Sequence, residues 1–239
     1  MNNPDKSLDV LGIKPVSEAI NTVTKATTEG AGAFLSRICL PAAEEFGLLL
    51  RDKVSAWRAA NALAITARAE ELFEALPNAN QRHAHPRIVG AVIDHGSWAD
   101  EDDVRSMWAG LLATACTESG RDQENLIYVN LLGQLTTSQA RTLSFACSEA
   151  IKYKSETGLL LSQELNVNLD QIVTASGTND IHTIDLELDH LRELGLLALD
   201  SGLSPNAIQS NRLTPSTIGL HLYVRCQGFV GSPIEYFKL

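Results

Sequence analysis

Val104, Met107, Trp108, Leu111, Leu112 and Ala115 stand at positions i, i+3, i+4, i+7, i+8 and i+11. That period of 3.6 predicts an amphipathic helix with one apolar stripe. A second stripe, Phe46, Leu50, Val54, Trp57, Ala60 and Ala64, predicts a long helix from Pro41 to about Leu76. Pro41 suits its first turn, where a missing N–H costs nothing. At 1.5 Å per residue that helix would be roughly 50 Å long, so it either spans the molecule or bends at Gly47. Residues 16–29 are compatible with a further helix, and Gly30 and Gly32 in "EGAGAF" are expected to break it.

Shorter patterns fill the rest. "HPRIVGAVIDHG" predicts a short helix burying Ile88, Val89, Val92 and Ile93 and closed by Gly96. A helix over about 124–134 would turn Ile127, Leu131 and Leu135 inward. Thr136 and Gln139 have capping-box spacing and should start a helix to about Tyr153, with Ala140, Leu143, Cys147 and Ile151 on its apolar face. "SETGLLLSQELNVNLDQIVTASGTND" is irregular, with room for one short helix. "IDLELDHLRELGLLALDSG" reads as a helix capped by Gly195 and then a short strand. "RLTPSTIGLHLYVRCQG" reads as a strand end, Thr214 as cap, Pro215 in the first turn, a helix and Gly228. Helix, strand, loop, strand, helix is how a winged-helix unit ends.

The expected fold class is therefore mainly α: a helical N-terminal two-thirds with a long helix, then a C-terminal winged-helix-like α+β unit with a small β-hairpin. The expected organisation is a flexible tail at 1–15, a helical region at 16–135 and the winged-helix-like region at 136–239.

Composition narrows the function. Apolar residues make up 44% of the 239-residue chain, charged residues 20%, and the formal net charge is -10. Those values are ordinary for a soluble globular protein. The acidity argues against non-specific nucleic-acid binding, which needs clustered Lys and Arg. Cys39, Cys116, Cys147 and Cys226 lie far apart, without C-x-x-C pairs or histidines at ligand spacing. They read as small buried apolar residues in a reducing compartment. The N-terminus lacks the basic and apolar regions of a signal peptide. The most apolar early stretch, "GAGAFLSRICLPAA", is too short to span a bilayer. A cytoplasmic location is expected, and membrane association through residues 16–40 is not, because only Lys14, Lys25 and Arg37 flank an apolar face there.

Candidate chemistry is sparse. Asp100, Glu101, Asp102 and Asp103 stand directly before the Val104 stripe. The plainest role is capping: Asp100 as N-cap, and the following acids facing the partial positive charge of the helix start. A hydrolase or nuclease site would need those acids to meet His83, His85 or His95. The histidines read instead as polar-loop residues, lacking a Cys or carboxylate at matching spacing. There is no G-x-S-x-G elbow, and "GAGAFL" lacks the third glycine and the preceding strand of a dinucleotide loop. No catalytic, metal-binding or cofactor-binding residue is assigned. Trp98, outside the apolar stripe, is either a staple on the helix start or a surface anchor for a partner; the second makes it the candidate partner-binding residue.

Three stretches resemble the abortive infection alpha family of bacterial proteins: "LPAAEEFGLLLRDKVSAWRAANAL", "DEDDVRSMWAGLLATA" and "LLGQLTTSQARTLSFA". The ending "LRELGLL…LTPSTIGLHLYVRC" fits as well, so the likeness covers roughly residues 10–228. The motifs are mostly core patterns and identify a fold better than an active site. The resemblance implies a helical protein associated with defence against bacteriophage, and brings no catalytic residues with it. The expectation is a non-enzymatic protein acting through a phage or host protein partner. A winged-helix transcriptional regulator and a hydrolase using the acidic cluster are the alternatives. The candidate recognition helix, "TIDLELDHLREL", is acidic, so no nucleic-acid partner is expected.

Overall fold

The computed structural model describes residues 29–43, 56–204 and 211–239. The tail at 1–15, all but the last residue of the helix expected over 16–29, and Phe46, Leu50 and Val54 lie outside these residues.

Residues 29–38 form helix α1, which runs through Gly30 and Gly32. The expected break does not occur. Ala31, Phe34, Leu35 and Ile38 make a buried stripe that outweighs the roughly 1 kcal/mol helix cost of each glycine. Phe34 meets Phe73 edge-on at 5.5 Å, and Arg37 pairs with Glu74 at 2.5 Å, fixing α1 to the end of the next helix. A further helical turn at residues 40–43 carries Pro41, as expected of a helix start.

Helix α2 spans Ala56–Glu74. Its buried face is Ala62, Ile65, Ala69 and Phe73, with Asn61 and Thr66 buried beside them. Trp57, Ala60 and Ala64, expected inward, face solvent. The small residues let α2 lie close along α4, so the buried stripe is alanine-rich and the large aromatic points out.

Helix α3 (Pro86–Gly96) buries Ile88, Val89, Val92 and Ile93 as its pattern demands, and His85 Nδ1 accepts from Arg87 N–H at its start. Helix α4 (Asp102–Thr114) buries Met107, Trp108, Leu111 and Leu112 and forms the centre of the core. Strands β1 (His83–Ala84) and β2 (Cys116–Thr117) pair antiparallel at its far end. Helix α5 (Leu126–Leu132) buries Tyr128, Val129 and Leu132, while Ile127 is exposed and Leu131 only half-buried. The expected face was therefore rotated: "LIYVNLL" is apolar almost all round, and packing rather than pattern sets which side faces in.

Helix α6 (Thr137–Glu149) has the expected capping box between Thr136 and Gln139. It stops at Glu149 and not near Tyr153; Ile151 is exposed, and the chain turns into the hairpin of β3 (Lys152–Lys154) and β4 (Leu160–Ser162). After β5 (Asn166–Val167) come α7 (Leu169–Ser176) and α8 (Ile181–Glu193). Gly195 follows α8 with the expected positive φ of 69°. Strand β6 (Asn211–Arg212) pairs antiparallel with β5, and single bridges join Leu197 to Pro215 and Gly202 to Arg212. Helix α9 (Thr217–Cys226) is capped by Ser216, whose Oγ accepts from Gly219 N–H at 3.1 Å; Thr214 and Pro215 precede the helix and do not start it. Helix α10 (Pro233–Phe237) ends the chain's regular structure.

One hydrophobic cluster joins these elements, from Phe34 on α1 through Trp108 on α4 to Leu220 and Cys226 on α9. All four cysteines are buried and unpaired, as expected. Among the described residues no helix is long and apolar enough to cross a membrane.

Candidate functional site

Trp98 sits in the tight turn between α3 and α4. The turn is closed by backbone bonds from Trp98 N–H to the His95 carbonyl (3.2 Å) and from Ala99 N–H to the Gly96 carbonyl (2.9 Å). Buried Ser97 is its pivot: its Oγ donates to the Asp94 carbonyl and accepts from Arg58 Nε at 2.9 Å, and its carbonyl accepts from Asn61 Nδ2 at 3.1 Å. Asn61 Oδ1 in turn accepts from Arg105 Nη1 at 2.9 Å. Side chains from α2, the turn and α4 thus hold the backbone that carries Trp98.

With Ser97 drawn inward, the neighbouring side chain is driven out. Trp98 is 58% exposed and Trp57, on α2, 44% exposed; their rings lie 6.1 Å apart, tilted by 58°. The Arg58 guanidinium lies 4.3 Å from the centre of the Trp98 ring and also pairs with Asp94 Oδ1 at 2.9 Å. Trp98 is thus not a staple on α4; it is part of an aromatic platform with Trp57 and Arg58. A cation over an exposed indole contributes about 0.5–1 kcal/mol. The same contact restricts rotation of the ring. Sequence reasoning singled out Trp98 because it stands outside the stripe, and the structure shows it exposed. It missed Trp57, whose helical phase placed it inward.

Asp102 and Asp103 lie in the first turn of α4, facing its partial positive charge as expected, but Asp100 is not the cap. The N-cap of α4 is Glu101, without a side-chain cap bond, and Asp103 Oδ1 accepts from Val104 N–H at 2.9 Å. The acids also hold cations. Arg141 on α6 donates to Asp103 Oδ2 at 2.6 Å and to Glu101 Oε2 at 3.0 Å, while Asp102 pairs with Arg105. The hydrogen bond that Arg141 donates to Asp103, together with the two negative charges, pushes the Arg141 guanidinium pKa up from its already high value. Through Arg141, Glu101 and Asp103 join α4 to α6.

The histidines do not converge on these acids. His83 pairs across to Thr117, His85 caps α3, and His95 stacks on Trp108 at 6.1 Å with 9° between the planes. Among the described residues no group of three or more His, Cys, Asp or Glu is placed to hold a metal ion. Burial pushes the Cys116 thiol up to about 12, and raises those of Cys147 and Cys226 as well. A thiol held neutral in this way is a poor nucleophile.

A groove of about 510 Å³ lies between α4, α6 and α9. Val104, Met107, Phe145 and Tyr223 supply apolar lining, with Asp103 and Arg141 also on its wall. Its serines are already engaged: Ser106 Oγ donates to the Asp102 carbonyl, Ser148 Oγ to the Phe145 carbonyl, and Ser144 Oγ to Met107 Sδ at 3.8 Å. The groove's two longer walls belong to "DEDDVRSMWAGLLATA" and "LLGQLTTSQARTLSFA", so those stretches meet in space through the core and through Arg141.

No curated protein and no solved structure matches the chain. The family model described as abortive infection alpha matches residues 60–213, which take in most of α2, all of α3 to α8 and both walls built by those two stretches. With more than half of its length matched, this chain belongs to the abortive infection alpha family.

Proposed function

We propose that the protein contributes to phage defence by binding a protein partner, and that the Trp57–Arg58–Trp98 platform is its contact surface. The observation that carries this is Trp98 itself: a 58% exposed indole held in one orientation by Arg58 at 4.3 Å. Tryptophan and arginine are the residue types most enriched in binding hot spots. Asp94, paired with Arg58 beside the ring, supplies a solvated polar neighbour of the kind such an anchor needs. Membership of the abortive infection alpha family supports the defence setting, although a shared fold by itself carries no mechanism. The protein is expected to act in the cytoplasm.

The segment from α6 to α9 is read as a winged-helix-like unit that makes protein contacts. Its order supports this: a helix, the β3–β4 hairpin, strand β5, two helices, a bridge at Leu197, then β6 pairing back with β5 and a closing helix. Helix α8 stands at the position that reads nucleic acid in such units, and it carries Asp185, Glu187, Asp189 and Glu193 against Arg192. Phosphates are repelled by such a face.

The test is phage plating on bacteria that express the chain. Plating should fall for at least one phage of a broad panel, and Trp98→Ala should relieve that reduction. The same substitution should lower stability by only about 1 kcal/mol, the worth of the ring's contact with Arg58. Full protection by Trp98→Ala removes the platform from the mechanism, and unchanged plating across the panel removes the defence role.

A further inference from the structure

Helix α8 has a face that its packing leaves uncovered. Ile184, Leu188 and Leu191 point into the core. Glu187 accepts from the hydroxyls of Thr136 and Ser138, and His190 Nδ1 meets the Gln139 amide at 3.0 Å. These contacts fix one side of α8 against the start of α6. At 3.6 residues per turn, His182, Asp185, Leu186, Asp189 and Glu193 fall on the other side.

That side combines apolar surface with unmatched negative charge. Leu186 is 70% exposed, and Leu199, in the loop after the helix, is 86% exposed. Arg192 links the helix to that loop: it pairs with Asp189, one turn from Leu186, and its Nη1 donates to the Leu199 carbonyl at 3.4 Å. Asp189 and Asp200 are matched by Arg192 and Arg212. Asp185 and Glu193 form no ion pair among the described residues, so the net charge of the face comes from them.

We infer that the outer face of α8, with Leu186 and Leu199 as apolar contacts and Asp185 and Glu193 as charge partners, docks a cationic amphipathic segment of a partner protein. Asp185 and Glu193 are about 12 Å apart along the helix axis, with Leu186 between them. The fitting partner is therefore a segment with two Lys or Arg residues about two helical turns apart and an apolar side chain between. Complementary charge sets orientation and speeds encounter, and the leucines supply area removed from water. A nucleic acid brings phosphates onto carboxylates. A second copy of this chain, face to face, brings like charges together. The surface is separate from Trp98 and its neighbours, and the inference does not depend on the role of that platform.

The experiment is a fluorescence-anisotropy titration of the full chain. The probes are a labelled helical peptide with leucines on one face and lysines on the other, a peptide of the same design with glutamates for lysines, and a labelled DNA duplex. The lysine peptide should bind, and more weakly as salt rises. Leu186→Ser should weaken it by about tenfold, as expected for one lost anchor, and so should the double variant D185N/E193Q. The control double variant E118Q/E156Q, which removes equal charge from exposed sites elsewhere, should bind as the parent does. Because the residues are exposed, melting curves should be unchanged, and the charge variant answers the question should Leu186→Ser fail to fold. Absence of lysine-peptide binding, equal loss in the control pair, or preference for the glutamate peptide or the duplex would overturn the inference. A dimer that dissociates on Leu186→Ser would assign the face to a second copy instead. None of these readouts involves phage plating, so failure here and failure of the Trp98 reading remain distinguishable.

Discussion

Gly110 on α4 and Cys226 on α9 touch backbone to backbone. A Cβ built on Gly110 would overlap the Cys226 carbonyl group and lie 3.0 Å from its Cα. The two helices cross at a point where only hydrogen fits, and this crossing joins the family-matched helices to the last part of the core. Gly110→Ala gains about 1 kcal/mol of helix propensity but must force the helices apart. Overpacking of this kind costs 1–3 kcal/mol, and more where the obstacle is backbone. The expected net result is a loss of about 3 kcal/mol or more in a urea melt. A neutral or stabilised variant would mean that the helices do not meet there.

The Arg141 cluster predicts a small effect where a catalytic site would predict a large one. Glu101, Asp103 and Arg141 are each at least a third exposed. Ion pairs in such settings contribute about 0–1 kcal/mol. The variants E101Q/D103N and Arg141→Gln should each lower stability by about 1 kcal/mol or less. Combined, they should cost less than the sum, because they remove the same interaction. Phage protection should survive all of them. Lost protection in a variant that melts normally would return these acids to the list of chemical groups.

How much of this was legible depends on whether the decisive contact is local. The α4 stripe and the α6 capping box are set by residues within a few positions of one another, and both stand as read. The phase of α2 was misread because its buried stripe, Ala62, Ile65, Ala69 and Phe73, is mostly small, while Trp57 dominated the alternative stripe. Helix α5 offered two nearly equal apolar faces. At the site, Trp98 was visible as a residue outside a stripe, but Arg58 and Trp57 reach it from forty positions away. The use of Glu101 and Asp103 to hold Arg141 is equally non-local, so a run of acids before a helix read as capping.

His221 on α9 gives a pH dependence of defined sign. It is half-buried, and burial first, then the charge of Arg225, lowers its pKa below the ordinary 6.5. The unfolded chain therefore takes up a proton at this position before the folded one does. Its contribution is fully present above pH 6.5 and is lost as pH falls from there toward the folded-state value, below which it stays constant. Urea midpoints of the parent should decline between pH 7.5 and 5.5 more steeply than those of His221→Gln. Parallel profiles would mean that His221 is solvated in the folded state.

Trp108 and Trp98 make the sharpest contrast between support and display, since they lie on either side of the same helix start. Trp108 is buried in the middle of the α4 stripe, stacks with His95, and leaves Gly96 so close that an added Cβ would stand 3.0 Å from its ring. Its removal leaves a cavity bounded by α2, α3 and α4, elements held by their own packing and unable to collapse into it. Trp108→Ala should therefore cost about 3–5 kcal/mol. Loss of protection in that variant should track loss of folded protein and be recovered at lower growth temperature. Trp98→Ala should show the reverse, with folded protein retained and protection lost at every temperature. A loss below about 1 kcal/mol for Trp108→Ala would place that ring outside the core and undo the assignment of the α4 face.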